Sequence, residues 1–307
     1  MTLKEKIINN KEKIMIGLLV KTLIILMIPL AYNYFMNTEE LEHSAVEEAP
    51  ADFIPTFANI NELQGLEQIK KYVFYVDAGA YVLEEELNLA KLASLDLSIN
   101  LRGSMPRVLI THTHSQESFI DGGTVIDVGR RLAELLVNEF GISTIHDVAT
   151  YDLVENELKR EGAYERMEQG VLAILEEHPS IEVIIDLHRD EAPEDIHLVH
   201  EIDGVDVARL MFFNGISRRN IDGEPSELTE LYNPYQMENL AVSLQLFLTA
   251  NERYPGLMRR NYIKAYRYSL HMLPRSLLVE VGGHTNTLEE AKNAMPLLAG
   301  LLVEVLQ

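Results

Sequence analysis

Three places in this sequence put imidazoles or carboxylates at the end of an apolar run. After Arg107-Val108-Leu109-Ile110 comes Thr111-His112-Thr113-His114-Ser115-Gln116-Glu117. After Ile181-Glu182-Val183-Ile184-Ile185-Asp186 comes Leu187-His188-Arg189-Asp190. Glu280 sits inside Leu277-Leu278-Val279-Glu280-Val281, ahead of Gly282-Gly283. Singly, each has an ordinary explanation: a hydrogen-bonded histidine at a strand end, or a glutamate at a sheet edge or in a structural ion pair. Together they are the parts of a hydrolytic metal site. A catalytic zinc takes three protein ligands, typically neutral imidazoles with a carboxylate, and keeps a fourth position open for water. Such a set leaves net positive charge on the site, enough to bring a water pKa to about 7. A separate carboxylate must then take the water's proton and return it to a leaving amine. One histidine of the His112/His114 pair, Glu117 and His188 supply the ligands, and Glu280 supplies the base. Period-two alternation puts His112 and His114 on one face of an extended strand, so either can bind while the other orients it. The chain has no Cys, which removes thiolate ligands, thiol nucleophiles and disulfides and leaves His and carboxylates as donors. Zinc suits this set best, and manganese or iron accept the same donors.

These groups need a scaffold that brings strand ends together. The runs 107–111, 181–187, 208–213 and 277–281 read as short apolar strands. Between them lie amphipathic helices. Val128, Leu132, Leu135, Leu136 and Phe140 share one helical face, and Tyr164, Met167, Val171, Ile174 and Leu175 share another, ending at His178-Pro179. A further helix is expected near 236–252, and Thr287 with Glu290 forms a capping box opening a last helix to about Val305. Near-continuous apolar strands alternating with such helices predict an α/β fold: a mainly parallel sheet covered by helices on both faces. In such sheets sites form where strand carboxyl ends open into loops, which is where the candidate residues fall.

The chain has 307 residues and a formal charge of −22, which argues against a nucleic-acid partner. The charge is uneven. Residues 1–36 carry five Lys and two Glu, net +3, so 37–307 carry −25. From Ile14 to Met36 the chain is apolar apart from Lys21, long enough to cross a hydrocarbon core of about 30 Å. Four lysines precede this stretch and an acidic run follows it. The positive-inside rule therefore predicts a cytoplasmic tail (1–13), a transmembrane anchor (14–36) and an extracytoplasmic remainder in the cell membrane. A cleaved signal peptide is the competing reading, disfavoured by the length of the stretch and the absence of a clear cleavage site. Residues 37–56 read as an acidic linker, 57–105 as a helical lead-in with a helix from Tyr81 to Leu95, and 106–307 as the catalytic domain.

With these residues assembled, the chain resembles the stage II sporulation protein P family, membrane-anchored zinc-dependent peptidoglycan amidases of endospore-forming bacteria. The resemblance is carried in order by VLITHTHSQESF (108–119), VGRRLAELL (128–136), FGISTIHDVATYD (140–152), GAYERM (162–167) and IEVIIDLHRD (181–190). It continues with ARLMFF (208–213), NPYQMENLAVSL (233–244), YPGLMRR (254–260) and SLLVEVGGHTNTLEEAK (276–292). It implies a zinc amidase-like fold, Zn2+ held by His114, Glu117 and His188, and Glu280 as catalytic base. His112 stays open as the alternative ligand. The implied substrate is the amide between N-acetylmuramic acid and L-alanine, the implied role septal wall thinning and engulfment during sporulation, and the implied partners stage II sporulation proteins D and M. The family also reportedly acts as an endopeptidase, an activity that no residue here lets us assign. The chain departs from the family's pattern at Tyr268-Ser269-Leu270 and at Arg166-Met167.

Around the core set, Arg189 and Asp190 are read as an ion pair supporting His188 or as substrate contacts. His146 is read as structural, and His284 as a residue near the base that can reach substrate. Two other functions compete. Thr-His-Thr-His resembles the strand-end motif of metallo-β-lactamases, although Gln116-Glu117 stands where that pattern has Asp-His. A catalytically silent scaffold binding wall or partner proteins would be marked by a missing ligand or base, and all four positions are filled.

Overall fold

The computed structural model describes residues 50–307. The expected anchor and tail, and all of the linker but its last residues, lie outside them. Among the described residues no helix is long and apolar enough to cross a membrane.

The described residues contain thirteen strands, in chain order β1 (Phe74–Val76), β2 (Val108–Thr111), β3 (Thr144–His146), β4 (Leu153–Val154), β5 (Glu157–Leu158), β6 (Val183–Asp190), β7 (Val199–Ile202), β8 (Val205–Ala208), β9 (Leu210–Gly215), β10 (Arg218–Ile221), β11 (Glu224–Glu227), β12 (Asn261–Lys264) and β13 (Arg275–Gly283). Seven form one sheet in the order β1-β12-β9-β13-β6-β2-β3. Every neighbouring pair is parallel except β9 with β13. The carboxyl ends of β2, β6 and β13 therefore open at the same edge. The other strands pair as antiparallel hairpins, β4–β5, β7–β8 and β10–β11.

The central strands are sandwiched, which is why they read as unbroken apolar runs. Val183, Ile184, Ile185 and Leu187 of β6 are fully buried. On one face the helices Val125–Asn138, Leu288–Leu306 and Gln236–Arg253 pack side by side. The first inserts Val128, Leu132, Leu135 and Leu136 into the core, each worth roughly 1.5–3 kcal/mol of burial. On the other face the helix Ala163–Glu177 lays Met167 and Val171 against Leu109 of β2 and Ile184 of β6. The capping box at Thr287 forms as read, with Thr287 Oγ1 accepting from the Glu290 amide and Glu290 Oε2 from the Thr287 amide.

Several expectations change. Phe140 lies beyond its helix, which ends at Asn138, and is 39% exposed rather than in the core. The helix expected from Tyr81 to Leu95 is a 3-10 turn, Glu84–Leu87, followed by a short helix, Leu89–Ala93. The 57–105 segment is not purely helical, because it supplies β1, the edge strand of the main sheet. Strand β12 is also absent from the sequence reading. Its Asn261 and Lys264 break the apolar run, yet both are buried at the sheet. Two hairpins turn at Asp203-Gly204 and Asp222-Gly223, dipeptides that favour two-residue turns and were the signal available for them.

Candidate active site

Glu280 of β13 and His188 of β6 are direct register partners in a parallel pair, so their side chains leave the same face of the sheet side by side. That face also carries Asp186, two residues before His188. The third contribution comes from the loop after β2. Strand pairing stops at Thr111 because the following backbone is taken by buried carboxylates. Asp186 accepts from the Thr113 amide at 2.9 Å and from Thr113 Oγ1 at 2.7 Å. Asp152 accepts from Ser115 Oγ at 2.5 Å and from the Gln116 amide at 3.0 Å. Both carboxylates are fully buried. This hydrogen bonding gives a buried loop the partners it requires and turns His114 and Glu117 toward β6.

There His114 and His188 lie edge to face with ring centroids 5.4 Å apart. Glu117 Oε2 is 3.3 Å from His188 Nδ1 and accepts from the Arg189 amide at 3.0 Å. Asp186 Oδ1 stands 2.9 Å from His188 Nε2. A carboxylate on one ring nitrogen fixes the imidazole and aims the other nitrogen, a usual arrangement behind a metal-ligating histidine. The structure thus brings together His114, Glu117, His188 and Glu280. Among the described residues, no group of three or more side chains already stands in ligating geometry. The donors are instead closed on one another.

The electrostatics suit a cation. Burial lowers the His114 pKa to about 4, giving a neutral imidazole able to donate its lone pair. Burial alone would lower His188 too, but Asp186 and Glu117 hold its pKa well above the ordinary value. Glu117 resists its own burial and sits at about 2 because His188, His114 and Arg189 surround it. The position between Glu117 and Asp186 therefore stabilises positive charge. Glu280 behaves oppositely. Burial pushes its pKa up to about 8, with Asp190 and Glu117 adding to the rise, and its Oε2 is buried with no hydrogen-bond partner. A carboxyl poised near neutrality, with an oxygen left over, suits a group that takes up and returns a proton.

His112 is turned away. Its Nδ1 is 2.9 Å from the Leu187 carbonyl and its Nε2 is 2.9 Å from His146 Nε2. This pair lies beneath the helix Val125–Asn138 at Gly129, where a Cβ would come within 2.6 Å of the His112 ring. Alternation fails to place both histidines together because the strand ends before them. His146, read as structural, is the last residue of β3 and meets His112 on that side of the sheet.

The Arg189–Asp190 side-chain pair does not form. Arg189 Nε donates to the Ser118 carbonyl, whereas Asp190 accepts from Arg259 Nη1 at 2.6 Å, with both side chains buried. Successive strand residues face opposite sides, so neighbours in sequence are poor partners. Arg259→Met leaves Asp190 buried without its cation and should cost about 3–5 kcal/mol of stability. The double variant Arg259→Met/Asp190→Leu should regain most of this loss in denaturant titrations.

Several residues of the site escaped the sequence reading. Tyr164 lies edge-on to His114, centroids 5.5 Å apart, and Arg160 Nη1 is 3.6 Å from Glu117 Oε1. Asp186 carried a usable signal, a lone carboxylate inside an apolar strand. Arg160 and Arg259 carried none. His284 follows β13, donates its amide to the Asp190 carbonyl and lines a cleft of about 590 Å³ with Arg189 and Ser118.

Comparison with solved structures finds similarity to the N-acetylmuramoyl-L-alanine amidase AmiC2 of Nostoc punctiforme, at 16% identity and a TM-score of 0.41, covering 66% of this chain and 97% of that one. The CwlD amidase of Clostridioides difficile, solved in complex with the GerS lipoprotein, is similar at 12% identity and a TM-score of 0.42, covering 64% of this chain and 96% of that one. In sequence, stage II sporulation protein P of Bacillus subtilis (strain 168) is 25% identical over 251 residues, 72% of this chain. The match spans 59% of that relative's length. The sequence profile of stage II sporulation protein P matches residues 31–303, almost the whole chain, and this protein belongs to that family.

Proposed function

We propose that this protein is a zinc-dependent N-acetylmuramoyl-L-alanine amidase, tethered to the membrane by residues 14–36 and acting on peptidoglycan outside the cell membrane during sporulation. The observation that carries the reading is the pairing of Glu280 with His188 in register, a half-buried glutamate whose inward Oε2 has no hydrogen-bond partner, beside a cation-stabilising cluster. His114, Glu117 and His188 would hold the metal, two imidazoles and a carboxylate being donors that zinc accepts. The ion, when bound, supplies a Lewis acid for the lactyl carbonyl and makes water acidic enough to ionise near neutrality.

The protein's own groups do the rest. Asp186 keeps the His188 ring oriented through Nε2, and the Arg189 amide orients Glu117. Glu280 Oε2 takes the proton of the attacking water. As the carbonyl carbon–nitrogen bond breaks, the same oxygen passes the proton to the departing L-alanine nitrogen. The products are a free lactyl carboxylate and a stem peptide with a new amino terminus. Stage II sporulation proteins D and M are the partners this reading implies. The metallo-β-lactamase reading needs both histidines of Thr-His-Thr-His at one metal, and His112 faces the other side of the sheet.

Digestion of purified sacculi, followed by mass spectrometry, should release stem peptides bearing a free L-alanine amine, and removal of divalent metal by chelation should stop it. Glycan fragments with intact stems, or no release at all in the presence of zinc, would overturn the assignment.

A further inference from the structure

Between β3 and the helix Ala163–Glu177 the chain makes an excursion beside the candidate site. Its hairpin, β4 with β5, turns through Glu155 and Asn156 at φ 55° and 65°, the left-handed pair that a tight two-residue turn requires. Two-residue strands hold little by themselves, and side chains fix the segment instead. Arg166 donates to the Tyr151 carbonyl at 2.6 Å, to that of Lys159 at 2.6 Å and to that of Glu161 at 3.0 Å. Asp152 ties the segment to the loop after β2 through Ser115 and the Gln116 amide, and its carbonyl accepts from the Lys159 amide at 2.7 Å. The Arg160 carbonyl accepts from the Ala163 amide at 2.9 Å as the helix begins. The backbone on both sides of Arg160 is thus held by other groups.

The Arg160 side chain is used differently from its neighbours. Arg166 is spent on three carbonyls, Arg189 on the Ser118 carbonyl and Arg259 on Asp190. Arg160 makes no side-chain hydrogen bond among the described residues, and its one ion-pair contact is Nη1 at 3.6 Å from Glu117 Oε1. Its side chain is 31% exposed against 6% for Glu117, so the guanidinium stands between that buried carboxylate and solvent. None of its nitrogens is buried without a partner, so all of them reach water. Anchoring Glu117 does not account for this arrangement, because Glu117 Oε2 already accepts from the Arg189 amide and faces His188 Nδ1. A fixed cation against a carboxylate that is to hold a metal also works against the metal, since both are positive. Open N–H donors at a hydrolytic centre suit negative charge that develops during the reaction.

We propose that Arg160 is a catalytic residue of this hydrolase, donating to the lactyl carbonyl oxygen as it becomes anionic and then holding the product carboxylate; the inference rests on the hydrolase reading above. As the water oxygen bonds to the carbonyl carbon, the π electron pair moves onto the carbonyl oxygen, which then accepts from the guanidinium. As the carbon–nitrogen bond breaks, its electron pair leaves with the L-alanine nitrogen, which takes the proton returned by Glu280. The negative charge stays on the lactyl carboxylate, whose two oxygens match the guanidinium fork. The intact amide is neutral, so the contact strengthens only as the reaction proceeds and acts on kcat.

Arg160→Gln in the full-length chain, in detergent, tests this. The side chain supports no hydrogen bond, so the variant should unfold at the wild-type temperature and bind zinc as wild type does. With a soluble disaccharide–peptide, kcat should fall by about 10²–10³, the usual effect of losing one oxyanion donor, with KM unchanged. Isothermal titration supplies a readout independent of turnover. After chelation, wild-type protein should bind N-acetylmuramic acid more tightly than its uncharged lactyl amide. Arg160→Gln should raise Kd for the acid by about tenfold and leave the amide's unchanged. Arg160→Lys, a charge without a fork, should fall between the two. Wild-type kcat in Arg160→Gln, a raised KM at constant kcat, loss of zinc, or equal binding of acid and amide by wild type overturns the assignment. If wild type and Arg160→Gln release free L-alanine amines equally, the hydrolase reading survives without Arg160. If wild type releases none, yet its preference for the acid disappears in Arg160→Gln, the hydrolase reading falls and Arg160 remains a carboxylate contact.

Discussion

Glu280→Gln should lower turnover of the muramoyl–alanine amide by about 10²–10⁴, the usual effect of removing a positioned general base. The substitution keeps the size of the side chain and its place beside His188 in the sheet. What it removes is the ability of Oε2 to accept and return a proton. The fold should not suffer. Burial already disfavours the charged form of Glu280, shown by a pKa pushed up to about 8, so a neutral amide is no worse a neighbour for the apolar strands. Bound metal should also be unchanged, because Glu280 is not among the proposed ligands. The measurement pairs initial rates on purified sacculi with metal content and thermal unfolding of the same preparations. Wild-type rates in the Gln variant would remove Glu280 from the mechanism. A loss of metal alongside the loss of rate would make it a ligand instead.

His188→Ala should abolish binding of the proposed zinc. Loss of an outer-shell partner typically weakens metal binding by 10–100-fold, and loss of a direct ligand should exceed that. Asp186→Asn provides the comparison. It leaves His188 in place but alters the carboxylate at Nε2, so metal affinity should fall by about 10–100-fold without being abolished. His112→Gln should keep the metal, because His112 is bonded to the Leu187 carbonyl and His146 on the opposite side of the sheet. Metal retained through gel filtration, measured by elemental mass spectrometry, ranks the three. Retention in His188→Ala, or loss in His112→Gln equal to that in His188→Ala, would reverse the ligand assignment. His188→Ala should also lower stability, since Asp186 and Glu117 then remain buried without the imidazolium between them, a loss of the order of 3–5 kcal/mol.

Much of this arrangement was legible in the residues themselves. The sandwiched strands β2, β6, β9 and β13 are apolar on both faces, so each stands out as a run, and the periodic helices between them require crossovers that make most of the sheet parallel. Parallel strands open their carboxyl ends together, and that fact placed the His112/His114 pair, Glu117, His188 and Glu280 near one another, the choice of His114 being what the family resemblance implied. The edge strand β1 and its neighbour β12 were not legible. They are three and four residues long, and β12 carries Asn261 and Lys264, whose burial depends on neighbours rather than on any local pattern.

What the amino-acid order determined by itself is therefore the type and location of the chemistry: imidazoles and carboxylates, no thiols, at the ends of particular strands. Tertiary structure decided which of those groups meet. His112 and His114 differ by two positions, and alternation makes them equivalent only while the strand continues. Asp186 and Asp152, from distant parts of the chain, capture the backbone after Thr111 and end the alternation. Asp190 likewise pairs with Arg259 rather than with adjacent Arg189. Local sequence sets the direction of a side chain only as far as its secondary structure extends. Beyond that, buried charges from elsewhere find the partners that offset their desolvation, and they fix the site in doing so.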